Sequence, residues 1–352
     1  DLPGLSRMLI DRLDADQRPA WFNALIRQGC ATVRPVLPAV TLPAQASVST
    51  GTLPREHGMI ANGLPGFREP DMVEHFDLSS FEEHRRKVSF WEQSNHLLQA
   101  DRVWKDQPGQ GAMLFVQSSM YGAAPIICTP KPEHTTDGRT ISLCHSQPDE
   151  LYPQLQEKLG PFPLQKFWGP LSGIEASQWI IAAATHVWSD PAPDWMWLYV
   201  PHMDYDQQRY GPHDERITQG LQQILEHLTP LVTYVQDHGG EVALFSEYGM
   251  TEVQHPVFPN RQLHDAGLLA STVAGEIDWP NSKAFAMCDH QVAHVYLLDA
   301  DAEDAVQSQI DHLCEQGHIA EVYSGVDRGI VGLDHRRSGD WILFADTDAW
   351  FA

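Results

Sequence analysis

The sequence predicts an α/β fold with a mainly parallel central sheet and helices on both faces, and three observations carry that prediction. Short apolar runs typical of buried strands alternate with longer segments of helical period. The 352 residues suffice for two domains or for one large domain with an insertion. Apolar residues make up 42% of the chain, which excludes wholesale disorder.

The individual elements follow from the same patterns. Buried parallel strands are expected at residues 195–200, 241–245, 293–298 and 341–345, each short and apolar. Helices are expected at residues 17–29, 217–239 and 301–317. The second helix has the clearest period, and Gly239-Gly240 is a suitable end for it.

One stretch has a different composition from the rest. Residues 105–170 are rich in Pro, Gly, Ser and Gln and contain few periodic runs. This indicates a cap inserted in the catalytic core, with a surface excursion of no function as the alternative. We therefore predict a first part of the core at residues 1–104, a cap at 105–170 and a second part of the core at 171–352.

The charge of the chain restricts its partners. Asp and Glu total 47 against 23 Lys and Arg, which gives a net charge of −24. Such a surface disfavours nucleic-acid polymers and anionic membranes, and no apolar run is long enough to predict a bilayer span. A small anionic substrate stays possible, because a bound metal inverts the local field.

The cysteines and the chain ends give a compartment expectation. The five cysteines are scattered without a CxxC pair, which argues against a disulfide framework or a zinc ribbon and favours a reducing compartment such as the cytoplasm. The chain opens at Asp1 without a Met or a first strand and stops after a strand-like run, so we expect both ends to be cut.

The most informative segment surrounds Thr41. Pro43 suits the first turn of a helix and Gly51 suits the position after its last turn, so a helix is predicted to begin at Thr41. Unpaired backbone N–H groups at such a position bind anions, including phosphate. The Thr41 hydroxyl is then either a helix cap or a nucleophile, and the position alone leaves both open.

The surrounding residues form a longer signature, made of Pro38, Thr41, Pro43, Thr50-Gly51, Pro54, His57-Gly58 and Asn62. This pattern resembles the nucleophile region of the alkaline phosphatase superfamily, in particular the nucleotide pyrophosphatase/phosphodiesterases and phosphonoacetate hydrolases. The resemblance implies an alkaline-phosphatase-like sandwich. It implies that Thr41 attacks phosphorus and bridges to a metal, and that Asn62 donates to a phosphoryl oxygen.

The resemblance also implies two metal sites at the carboxyl ends of strands. Asp1 matches the first aspartate ligand by its spacing of 40 residues from Thr41, with an exposed terminal aspartate as the alternative. Asp204 matches the second aspartate, but four residues on Gln208 stands where relatives have histidine. Amide oxygen is a weak donor to transition metals. His202 lies in the same predicted loop and is a candidate to compensate.

The third candidate cluster departs from the usual pattern. Residues 246–250 read Ser-Glu-Tyr-Gly-Met where relatives read Ser-Asp-His-Gly-Met, so Glu247 and Tyr248 stand at the two ligand positions. This is identified as a variant branch of the superfamily. A late histidine ligand is expected beyond residue 352 or among the remaining histidines. His290 and His294 would share one face of a strand, either lining the site or forming a structural pair.

The resulting hypothesis is a metal-dependent hydrolase. We expect two divalent cations, with oxygen donors favouring Mg²⁺ or Mn²⁺ and zinc requiring His202 or a further histidine. The expected reaction is hydrolysis of a phosphodiester or pyrophosphate bond in a small phosphorylated substrate through a phospho-threonine intermediate. The alternatives are a phosphonate C–P hydrolase and, because two histidine ligands are replaced, a non-catalytic family member that binds a ligand or a protein.

Overall fold

The computed structural model describes residues 1–69, 88–91, 93–134, 140–190 and 192–352. Its helices are α1 (Arg7–Arg12), α2 (Ala20–Gln28), α3 (Thr41–Thr50), α4 (Pro54–His57), α5 (Leu151–Leu159), α6 (Ile174–Ser189), α7 (His202–Tyr210), α8 (Glu215–Asp237), α9 (Pro259–Asp265) and α10 (Glu303–Glu315). Its strands are β1 (Gly63–Pro65), β2 (Val88–Phe90), β3 (Gly111–Leu114), β4 (Ile126–Pro130), β5 (Glu133–His134), β6 (Thr140–Ile141), β7 (Cys144–Gln147), β8 (Trp195–Leu198), β9 (His255–Val257), β10 (Ala284–Asp289), β11 (Val292–Leu297), β12 (Ile319–Ser324), β13 (Trp341–Ala345) and β14 (Ala349–Phe351).

The central sheet has the strand order β7-β4-β3-β8. Strand β3 pairs in parallel with both β4 and β8, whereas β7 is antiparallel to β4. Gly111 permits the close approach of β3 and β8, because a Cβ there would lie 1.9 Å from the Trp195 ring. Helices α2, α6 and α8 contribute to the same apolar cluster as the strands of this sheet. The parallel-containing sheet and its helices confirm the mixed α/β fold class.

The first residues of the chain continue this sheet beyond β8. The backbone nitrogen of Asp1 donates to Leu198 O at 2.9 Å, and Val200 N donates to Asp1 O at 3.0 Å. On its other side the segment is held by Leu2 N, which donates to Phe245 O at 2.9 Å. Asp1 is thereby fixed at the carboxyl end of β8, close to the residues that follow Phe245.

A second sheet has the order β10-β11-β13-β12, and all its pairings are antiparallel. It has its own apolar cluster, to which α9 contributes Leu263 and α10 contributes Val306 and Ile310. Two of the predicted strands, at residues 293–298 and 341–345, are β11 and β13 of this sheet. Their expected parallel pairing is wrong, because a strand covered on both faces is apolar in either arrangement.

The other element predictions have mixed outcomes. The helices expected at residues 17–29, 217–239 and 301–317 are α2, α8 and α10, with ends shifted by one to three residues. The strand expected at 195–200 is β8. Residues 241–245 are not a strand in the structure, although Phe245 O accepts a hydrogen bond from Leu2 N in the N-terminal segment.

The predicted division at residues 105 and 170 does not separate a cap from the core. Strands β3, β4 and β7 all lie within that range and form the central sheet with β8. Four or five residues are too few for a strand to show a clear period, so Gly- and Pro-rich connections dominated the composition of the range. All five cysteines are free, and no helix in the described part of the chain is long and apolar enough to cross a membrane.

A buried ion pair connects the segment after α4 to the loop before β13. Arg337, whose side chain is 2% exposed, donates to Glu69 Oε2 at 2.7 Å and to the carbonyl oxygens of Gly58 and Leu97. Arg336 contacts the other oxygen of Glu69 at 2.6 Å but is 62% exposed. The two arginines therefore share one carboxylate in very different surroundings.

We predict that Arg337→Leu lowers the free energy of unfolding by about 3–5 kcal/mol, because it leaves Glu69 Oε2 and two carbonyl oxygens buried without their donor. Arg336→Ala, the matched control on the same carboxylate, is expected to cost less than about 1 kcal/mol. Urea denaturation of both variants measures the difference, and equal costs would contradict the assignment.

Candidate active site

Thr41 occupies the first turn of α3. Val40 is the N-cap residue of this helix in an extended conformation, and Gly51 ends the helix with φ +70°. The predicted helix bounds are therefore confirmed. Thr41 is only 2% exposed, and its side chain caps no backbone N–H group. The cap alternative for its hydroxyl does not hold, so the hydroxyl is available for another interaction.

Asn62 lies beside this helix end and is 1% exposed. Its Oδ1 accepts a hydrogen bond of 2.9 Å from Leu42 N, the residue after Thr41. This contact fixes the orientation of the amide, so that Oδ1 faces α3 and Nδ2 is the donor side. Asn62 N and Nδ2 donate to the buried carboxylate of Asp289, at 2.6 and 3.3 Å.

A phenol connects Thr41 to a buried carboxylate. Tyr248 OH lies 3.0 Å from Thr41 Oγ1 and donates to Asp204 Oδ1 at 3.2 Å. Burial, with the nearby charge of Asp204, holds the pKa of Tyr248 well above its usual value, so the phenol keeps its proton. While that proton is given to Asp204, a lone pair of the phenol oxygen is available to accept the proton of Thr41. Burial also raises the pKa of Asp204.

Gln208 completes the surroundings of Asp204. It lies one helical turn further along α7, on the same face, and its Nε2 donates to Asp204 Oδ2 at 2.9 Å. Both oxygens of Asp204 are therefore bonded by neutral donors, one amide and one phenol. The structure thus brings together Thr41, Asp204, Gln208 and Tyr248 as a hydrogen-bonded cluster.

Glu247 and Asp1 are joined by Gln45. Gln45 Nε2 donates to Glu247 Oε1 at 2.5 Å and to Asp1 Oδ2 at 3.4 Å, while its Oε1 accepts from Gln117 N at 2.7 Å. Glu247 Oε2 and Asp1 Oδ1 are both buried without a hydrogen-bond partner. Burial raises the pKa of Glu247 to about 8, Gln45 lowers it, and the charge of Asp204 raises it further.

These contacts test whether the residues fit the expected metals. No group of three or more His, Cys, Asp or Glu side chains within the described ranges is arranged to hold a metal ion. Asp1 and Glu247 nevertheless each have a buried, unpartnered oxygen, and two carboxylates with water and substrate oxygens are a usual Mg²⁺ environment. The donor set therefore fits one hard cation at Asp1 and Glu247. It does not fit a second cation at Asp204, whose oxygens are already bonded.

Two of the candidate histidines lie elsewhere. His202 begins α7, so a separation of two residues places it on the opposite side of that helix from Asp204, facing Gly220 of α8. His294 is buried in β11, where its ring nitrogens are bonded to Ile60 O and Gly339 N. In the structure neither histidine contacts Thr41, Asp204 or Glu247 through a hydrogen bond given for the described residues, and His294 makes structural hydrogen bonds to backbone groups.

His290 differs from both. Residues 290 and 291 form the turn between β10 and β11, so His290 is not on the strand face of His294. Its Nδ1 lies 2.7 Å from Asp289 Oδ1, the oxygen that also accepts from Asn62 Nδ2. Burial lowers the pKa of His290, but the hydrogen bond and charge of Asp289 outweigh burial, and the net shift is upward.

Two residues of the site, Gln45 and Asp289, were not predicted from the sequence. Gln45 lies four residues after Thr41, and this helical spacing was a usable signal because it places both side chains on one face. Asp289 closes an apolar strand directly before a histidine, which by itself indicates only a turn.

Comparisons with known proteins agree with this architecture. The phosphonoacetate hydrolase of Sinorhizobium meliloti, solved with phosphonoacetate, has a TM-score of 0.65 and 15% identity, covering 100% of this chain and 80% of the hydrolase. Murine ectonucleotide pyrophosphatase/phosphodiesterase 5 has a TM-score of 0.63 and 13% identity, with 100% and 79% covered. No sequence among curated proteins matches this chain significantly.

The fold is that of the alkaline phosphatase superfamily, to which both of these proteins belong. The chain itself belongs to the type I phosphodiesterase / nucleotide pyrophosphatase family, whose family model matches residues 2–352. This family and the two structural neighbours are hydrolases of phosphoester or phosphonate bonds, and the family is generally metal-dependent.

The raised pKa of Glu247 gives a prediction for Glu247→Gln in EDTA. A carboxyl group whose pKa rises from 4.5 to about 8 on folding stabilises the protein only while it is protonated, so this contribution is lost as the pH rises toward 8. The variant has no such loss. Relative to the wild type, its free energy of unfolding is expected to increase by up to about 1.4 kcal/mol per pH unit between about pH 5 and pH 8.

Urea denaturation at several pH values measures this difference. Glu226→Gln, on the exposed face of α8, is the control and should show no such trend. A Glu247→Gln difference that is constant with pH would contradict the assignment of a protonated, buried Glu247.

Proposed function

We propose that the protein hydrolyses a phosphodiester or pyrophosphate bond in a small phosphorylated substrate, with Thr41 as the nucleophile. The observation that carries the proposal is the hydrogen-bonded chain from Thr41 through Tyr248 to Asp204, beside the fixed amide of Asn62. A threonine hydroxyl is a poor nucleophile unless its proton has an acceptor, and this chain supplies one.

The geometry suggests the direction of proton movement. As Thr41 Oγ1 bonds to phosphorus, its proton passes to the Tyr248 oxygen, and the Tyr248 proton passes to Asp204 Oδ1. The bond between phosphorus and the leaving oxygen breaks, and that oxygen leaves with the electron pair. Water then attacks the phosphorus of the phospho-threonine, and one of its protons neutralises the departed oxygen. The bond to Thr41 Oγ1 breaks, and that oxygen recovers a proton from Asp204 through Tyr248.

Two groups stabilise the charge that develops on the phosphoryl oxygens. The first is the backbone N–H of Thr41 at the start of α3, because Leu42 N is bonded to Asn62 Oδ1 and Pro43 has no N–H. The second is Asn62 Nδ2, whose amide is oriented by the same contact to Leu42 N. Asp1 and Glu247 would hold one hard divalent cation next to Thr41. Such a cation, when bound, supplies Lewis-acid stabilisation of an alkoxide and of a phosphoryl oxygen.

The structural neighbours support this class of substrate. Murine ectonucleotide pyrophosphatase/phosphodiesterase 5 has also been solved as an inactive threonine-to-alanine variant in complex with AMP. The complexes of the bacterial neighbour contain phosphonoacetate or phosphonoformate, which makes phosphonate hydrolysis the second candidate. If the protein turns over no substrate of either class, the third candidate applies: a non-catalytic protein that retains the fold.

We predict that Thr41→Ala leaves less than a few per cent of wild-type turnover while the fold is retained, because it removes the attacking oxygen. Turnover is measured with Mg²⁺ or Mn²⁺ on bis(p-nitrophenyl) phosphate, nucleotide pyrophosphates and phosphonoacetate, and denaturing mass spectrometry detects phosphate on Thr41 in quenched wild-type reactions. Thr50→Ala, at the other end of α3, is the matched control. Substantial turnover by Thr41→Ala would exclude Thr41 as the nucleophile.

A second prediction tests the proton path. Tyr248→Phe is expected to lower kcat on the order of 10²–10⁴-fold with little change in KM, because the Thr41 proton loses its acceptor but substrate contacts are kept. The control is Tyr234→Phe on the partly exposed face of α8. A kcat close to that of the wild type would show that Tyr248 does not take part in proton transfer.

A further inference from the structure

Asp289 is a buried carboxylate with three donors, and all three belong to residues around the proposed phosphoryl position. Its side chain is 3% exposed and accepts from Asn62 N, Asn62 Nδ2 and His290 Nδ1. The Asn62 amide and the His290 imidazole contact the same oxygen, Oδ1, so the two groups are neighbours. One carboxylate thus fixes the orientation of both.

The remaining ring nitrogen of His290 is available to a ligand. Nδ1 carries the proton that is given to Asp289, which leaves Nε2 as the outer atom of an imidazole that is 47% exposed. The backbone at His290 has φ +59°, which a two-residue turn between paired strands accounts for. The backbone contact from Phe351 N to His290 O at 2.8 Å further fixes the turn.

We propose that His290 binds a phosphoryl oxygen of the substrate through Nε2, beside Asn62, and that Asp289 is the positioning residue for both side chains. The proposal rests on the proposed function for the identity of the ligand and adds a residue to its site.

The charge balance around Asp204 supports this assignment. A second cation has no free donor oxygen there, and the chain carries a net charge of −24, so an anionic substrate requires a positive group from elsewhere. His290 lies close enough to Asp204 for each charge to influence the protonation of the other. When protonated, His290 supplies positive charge beside Asn62, because both side chains contact Asp289 Oδ1.

The experiment measures binding of inorganic phosphate by calorimetry in the presence of Mg²⁺, in a Thr41→Ala background that removes turnover. His290→Ala is expected to weaken phosphate binding roughly tenfold to a hundredfold, as the loss of one hydrogen bond to a charged group does. His290→Gln, which keeps a neutral donor, should lie between His290→Ala and the background protein. Asp289→Asn should weaken binding to a similar extent, and Tm is measured for every variant.

His264→Ala is the matched control, because His264 is an exposed histidine beside Asp265 that lies far from Thr41 in the sequence. Phosphate affinity in His290→Ala equal to that of the background protein overturns the proposal, and so does an absence of phosphate binding in the background protein. If Asp289→Asn does not fold, the phosphate affinities of the His290 variants still test whether His290 binds the phosphoryl group. Binding that depends on His290 in a protein whose wild type turns over no substrate supports this inference and contradicts the proposed function.

Discussion

Burying carboxylates beside one threonine is the constraint on which the rest of the site depends. Asp204, Glu247 and Asp289 are each at most 6% exposed, in a chain that already carries a large negative charge. An ionised carboxylate in such surroundings costs several kcal/mol unless donors surround it. Donors meet this requirement at two of the three carboxylates: Tyr248 and Gln208 at Asp204, and Asn62 with His290 at Asp289. Glu247 receives one hydrogen bond from Gln45 and keeps an unpartnered oxygen, and burial raises its pKa to about 8.

This constraint explains the departures from the familiar ligand pattern. Gln208 and Tyr248 stand where the resemblance implied histidines, and both act as neutral hydrogen-bond donors to Asp204 in the structure. A carboxylate that is satisfied in this way no longer needs a metal, whereas the unpartnered oxygens of Asp1 and Glu247 still do. Under the proposed function, the residues at these two positions therefore take the place of one cation site and provide a proton acceptor for Thr41.

Much of the nucleophile region could be predicted from the sequence, because Pro43 and Gly51 have narrow conformational preferences. The amphipathic α8 was predictable because its apolar residues recur with the helical period. The direction of β11 and β13 was not, since buried strands of either pairing are equally apolar. The core strands between residues 105 and 170 were too short to show a period. His202 was misplaced because residues 202–210 are a helix and not a loop.

We propose that hydrogen bonds from Gln208 and Tyr248 occupy the oxygens of Asp204, and that only Asp1 and Glu247 bind a cation. Elemental analysis of protein equilibrated with Mn²⁺ and freed of excess metal tests it most directly. The account predicts one Mn²⁺ per chain, retained in Asp204→Asn and lost in Glu247→Gln. Two ions per chain, or loss of metal in Asp204→Asn, would contradict it.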